Sequence, residues 1–143
     1  MPTFERDGSV ERVLGAHLGD DRVVSRLLVK KVADAEHVFG RLRLWHEWGA
    51  THLALLLLRL CVDPMYTYPA RTEVPAAVHD ALALLGSRVL ATLRAFMTLG
   101  RMFTYAEVVY ITNPLALGGL GFSSRLSFIH SLPYAAAIVD SHA

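Results

Sequence analysis

The densest cluster of chemically capable side chains is Trp45-His46-Glu47-Trp48-Gly49-Ala50-Thr51-His52, which holds two imidazoles and a carboxylate. A helical zinc-hydrolase site needs H-E-x-x-H, because histidines four apart share one face and present their ring nitrogens to a single ion. Here the histidines are six positions apart, about 120° around a helix, with Glu47 on a third side. That spacing does not build a metal site, and no metal or other cofactor is expected. The same residues fit a boundary in which Trp45 and Trp48 sit at the wet end of an apolar helix. A small enzyme with its site near His46 stands as the catalytic alternative.

Nucleophilic catalysis needs an activated Ser or Cys beside a base and an orienting group. Gly86-Ser87-Arg88 and Gly121-Phe122-Ser123-Ser124 lack the G-x-S-x-G elbow. Cys61 follows a leucine run, where a buried, inert thiol is expected, and as the sole cysteine it excludes a disulfide scaffold. His79-Asp80 reads as first-turn helix chemistry. Leu117-Gly118-Gly119-Leu120-Gly121 is rich in glycine but has no G-K-[ST], so it is not a phosphate loop.

Basic residues form a pattern of another kind. With residues spaced at 100°, Val24, Leu27, Leu28, Val32, Ala35, Val38, Phe39 and Leu42 fall in an arc of about 140°. Arg22, Arg26, Lys30, His37 and Arg41 gather opposite, while Lys31 falls in the apolar arc and must snorkel or pair. Such a stripe suits a solvated face, an acidic partner or anionic lipid headgroups. Nucleic acid is not an expected partner, since the net charge is +1 and no exposed aromatics are interleaved with these cations.

These groups need elements to hold them. Ser9 can cap a first helix through about Leu18, and Asp20 or Asp21 can start a second at its positive end. Residues 41–62 place leucines at 53, 55, 56, 57, 58 and 60 in every direction around a helix, the pattern of a central helix buried on all sides. The stretch 63–75 has prolines at 64, 69 and 75, which forbid a continuous helix and mark a hinge within one domain. Pro75 suits the first turn of a helix reaching about Met102, with Leu82, Leu85, Val89, Leu90, Leu93, Phe96 and Met97 on one face. Residues 102–112 are read as a helix despite their β-branched content. Asn113-Pro114 stops it, 117–122 reads as an irregular loop, and Ser123 or Ser124 can cap a last helix that Pro133 kinks or divides.

Leu18-Gly19-Asp20, with Trp48-Gly49 and the leucine-rich helix after it, resembles two motifs of the Bcl-2 family of apoptosis regulators. The likeness covers about a fifth of the chain. The second motif continues with Arg where this chain has Ala50, the interval between the motifs is short and no later motif follows, so no residue role carries over.

The chain is 53% apolar and 19% charged over 143 residues, more apolar and less charged than the usual globular domain, which excludes disorder and low-complexity architectures. Charge is uneven. Residues 1–80 carry ten basic and eleven acidic side chains, and residues 81–143 carry four and two. The N-terminus mixes Glu5, Arg6, Asp7, Glu11 and Arg12 without an apolar run, so it does not read as a secretory signal and an intracellular location is expected. No segment makes a convincing autonomous membrane span: 51–62 is too short, 81–99 carries Arg88 and Arg94, and 103–122 is broken by Asn113-Pro114 and glycines.

The expectation is an all-α, single-domain bundle of about five helices around the leucine-rich helix, with irregular Gly/Pro loops in the second half. Too much apolar surface for so small an interior points to a non-catalytic accessory subunit of a larger assembly, membrane-adjacent or organellar. The expected contacts are Trp45, Trp48, Arg88, Arg94, Phe103 and Tyr110. The charge-poor end adds Leu115, Leu117, Leu120, Phe122, Phe128 and Tyr134. The partners would be other protein subunits, with anionic lipid or membrane subunits nearby. The main rival is a peripheral membrane protein that lays its basic helix, through Arg22, Arg26, Lys30 and Arg41, on anionic lipid.

Overall fold

The computed structural model describes residues 6–7, 10–13, 16–66, 69, 72–73 and 75–122. The chain is mostly helical. Helix α1 spans Asp21–Asp34, α2 Glu36–Glu47 and α3 Thr51–Leu57, which runs on as a π-helical turn over Leu58–Val62. After a 3₁₀ turn at Asp63–Tyr66 come α4, Pro75–Phe96, and α5, Tyr105–Thr112. Counting 21–47, broken at Ala35, as one stretch gives four among the described residues rather than about five. The last expected helix, with Ser123, Ser124 and Pro133, lies outside the described residues, as do Phe128 and Tyr134.

The first expected helix is replaced by strands: β1 Arg6–Asp7, β2 Val10–Val13 and β3 Ala16–Gly19, paired antiparallel in that order. The registers Asp7↔Val10 and Val13↔Ala16 leave two residues between successive strands, and each pair includes a glycine, Gly8 or Gly15. Two-residue hairpin connections favour glycine, and Val10 and Val13 favour strands, which outweighs the capping capacity of Ser9. Asp20 caps α1 as expected, its Oδ1 accepting the Arg22 N–H at 2.8 Å.

The described residues fall into two compact units, one drawn from 1–34 and 66–85 and the other from 35–65 and 86–124. The first buries Val24, Leu28 and Val32 of α1 with Ala77, Val78, Ala81, Leu82 and Leu85 of α4. The second buries Phe39, Leu42, Ala54, Leu58, Val62, Val89, Leu93, Phe96, Ile111 and Phe122. Most of the expected arc residues are buried, while Leu27, Val38 and Leu90 are half-buried and Met97 is exposed. Lys31, inside the arc by spacing, reaches solvent.

Two helices end sooner than expected, by the same device. The Gly49 N–H donates to the His46 carbonyl at 3.0 Å and the Ala50 N–H to that of Trp45 at 2.9 Å, with Gly49 at φ +83°. This left-handed cap divides the expected 41–62 helix. At the end of α4, the Thr98 N–H donates to Ala95 and the Leu99 N–H to Arg94, with Thr98 at φ +53°, so the helix stops at Phe96 rather than Met102. A β-branched residue is strained there. Thr98→Gly is expected to stabilise the chain by about 1 kcal/mol in urea unfolding, and Thr98→Val to give no such gain.

Helix α5 opens with a capping box: the Thr104 Oγ1 accepts the Glu107 N–H, and a Glu107 oxygen accepts the Thr104 N–H at 2.7 Å. Arg101 grips the same carboxylate with two bonds, at 2.7 and 2.9 Å. The Arg101 hydrogen bond, then that of the Thr104 backbone, pulls the Glu107 carboxyl from the usual 4.5 to about 2. A carboxyl depressed in the folded state contributes stability above its unfolded value and loses it as pH falls toward about 2. A carboxyl-carbon NMR titration should find its midpoint there, and Arg101→Gln should move it back toward 4.5.

Candidate functional site

The His46 region is built around a helix cap. The His46 Nδ1 lies 2.8 Å from the Thr51 Oγ1, bridging the Gly49 turn, and its ring packs on Phe96 with centroids 5.3 Å apart. Glu47 and His52 are both exposed, and no group of three metal-ligating side chains occurs among the described residues. Trp45 is half-buried and Trp48 exposed. The geometry holds one helix end against the next.

The expected basic residues are divided between the two units. Arg22, Arg26 and Lys30 are exposed together on α1, where Arg22 and Arg26 line an open depression with Asp21, Ser25, Ala76 and Asp80. Arg41, also exposed, belongs to the other unit. Val24, Leu28 and Val32 of α1 are buried within the chain, while Val23, Leu27 and Val29 are half-buried.

The expected contact residues divide further. Arg88 pairs with Glu36 at 2.7 Å, and Arg43 holds the other oxygen of that carboxylate at 3.0 Å, which makes Arg88 an internal brace. Arg94 donates to the Met102 sulfur. Phe103 and Leu120 are half-buried, while Tyr110, Leu115 and Leu117 are exposed. Phe122, expected at the surface, is only 3% exposed. Its N–H donates to the Ile111 carbonyl at 3.1 Å, which brings this segment back against α5.

Sequence reasoning missed a larger exposed set. Leu53, Leu56 and Leu60 project from α3 and the π-turn into solvent, so the leucine-rich helix is not buried on all sides; Ala54, Leu58 and Val62 form its buried edge. Cys61, expected buried, is exposed. Met97, Met102, Tyr105 and Val109 are exposed as well. The available signal was the excess of leucine over what a chain this short can enclose.

Among the described residues one helix, Ala76–Phe96, is long and apolar enough to cross a membrane, and half of its most apolar window is buried within the chain. No protein-family model matches this chain, and comparison with curated proteins and with solved structures gives no match.

Proposed function

We propose that this chain is a non-catalytic helical subunit of a larger intracellular, membrane-adjacent assembly, binding its partners through exposed apolar side chains. The observation that carries this reading is their number. The unit formed by 35–65 and 86–124 exposes a large set of apolar side chains, from Leu44 and Trp48 through Leu60 to Leu117. Single exposed leucines are ordinary in soluble proteins, whereas a set this large on one unit supports a surface kept for contact. Burying it contributes roughly 25 cal/mol per Å² of apolar area, less the cost of association.

The test is to express a tagged chain in its native cell, solubilise it gently and measure the mass and composition of what it travels with. A defined, stoichiometric complex is the expected result; recovery as a free 15.8 kDa chain would overturn the reading. Converting His46, Glu47 and His52 together to alanine should leave incorporation into that complex unchanged. Loss of a catalysed reaction from the folded variant would instead establish the enzyme alternative.

A further inference from the structure

We infer that the turn following α5 is a lipid-contacting tip, one that docks on an anionic bilayer surface. The chain doubles back on itself after α5: the Leu120 N–H donates to the Tyr110 carbonyl at 3.1 Å and the Gly121 N–H to the Asn113 carbonyl at 2.9 Å. Between these ties a 3₁₀ turn, Leu115–Leu117, stands out from the helix end. Leu117 is 75% exposed, Leu115 55% and Tyr110 52%. An aromatic ring beside leucines on a tight, internally bonded turn suits the boundary between headgroups and acyl chains.

Charge names the occupant. No acidic or basic residue occurs between Val108 and Phe122. The nearest carboxylate in sequence, Glu107, is already held by Arg101. The cation beside the turn is Arg59 of the π-turn: a Cβ built on Gly121 would lie 3.4 Å from both the Arg59 Nε and the Leu115 Cγ. Arg59 is half-buried, and Asp63, four residues on in the sequence, is buried. A guanidinium flanked by leucines, with no ion pair shown to a carboxylate among the described residues, is complementary to lipid phosphate, toward which arginine extends while its stem stays on apolar surface. Leu60, next to Arg59 in the chain, is 61% exposed and adds to the apolar rim. The basic face of α1 belongs to the other unit, and the inference does not depend on the identity of any partner subunit.

The experiment is co-sedimentation of the full chain with vesicles of phosphatidylcholine alone and of equal parts phosphatidylcholine and phosphatidylserine. Preferential binding to the anionic vesicles is expected. Leu115→Asp with Leu117→Asp should weaken it more than tenfold, and Arg59→Gln about fivefold, while Arg22→Gln, Arg26→Gln and Lys30→Gln together change it little. A Leu117→Trp variant gives a readout that does not rely on disruption: brominated lipid should quench the added fluorescence. The inference is overturned if no vesicle is bound, if the α1 variant rather than the turn variant abolishes binding, or if the turn variant acts by dissociating a dimer of this chain. Isolation of a stoichiometric complex alongside any of these failures would leave the subunit reading standing.

Discussion

Gly119→Ala is expected to destabilise the unit formed by 35–65 and 86–124 by about 3 kcal/mol, measured by urea unfolding. The glycine is buried where the chain returns beneath α5, and its own N–H donates to the Pro114 carbonyl at 3.1 Å. A Cβ there would lie 2.6 Å from the Asn113 carbonyl carbon and closer still to its oxygen. The obstacle is backbone, so no side-chain rotation relieves it. The Asn113 carbonyl also accepts the Gly121 N–H, so moving it loosens the ties that hold Phe122 inside. Gly118→Ala supplies the control. Gly118 has open space around its Cβ position and φ +80°, so the cost is that of a left-handed alanine alone, about 1 kcal/mol. Equal effects at the two positions would show that steric crowding at Gly119 is not the cause.

The second large effect separates two leucines that sequence pattern alone treats alike. Leu58→Ala should cost about 3 kcal/mol, because the side chain is wholly buried and its removal leaves a cavity. Leu60→Ala, two positions on, should change stability by less than about 0.5 kcal/mol, since that side chain is mostly in water. If Leu60→Ala also disrupts the native complex, the leucine serves association rather than folding. Comparable losses of stability at both sites would mean that the whole leucine run is core.

Several elements were legible from the residues. The arc Val24, Leu28, Val32, Phe39 and Leu42 is buried because helical spacing leaves it no other place. Asp20 caps α1, and Asn113-Pro114 ends α5. The capping box Thr104-Tyr105-Ala106-Glu107 was missed in the sequence, although that pattern favours helix over strand for the β-branched residues after it. The N-terminal strands were less readable, because the apolar spacing of 10–18 also suits a helix and only the pairing of one segment with another decides between them.

For the candidate site the division is sharper. Periodicity shows which side chains share a face but not what that face meets. The leucines of 51–62 surround their helix, and the tertiary structure covers one edge of it and leaves Leu53, Leu56 and Leu60 in water. Arg88, expected as a contact residue, is set by the fold against Glu36 with its side chain left 40% exposed, whereas the return under α5 draws Phe122 inward. Helical periodicity pointed to a mostly helical chain, and composition to one that carries more apolar surface than it can hide. Which residues hold that surface was decided by tertiary structure, because burial depends on what packs against a face, and that information lies in contacts between distant segments.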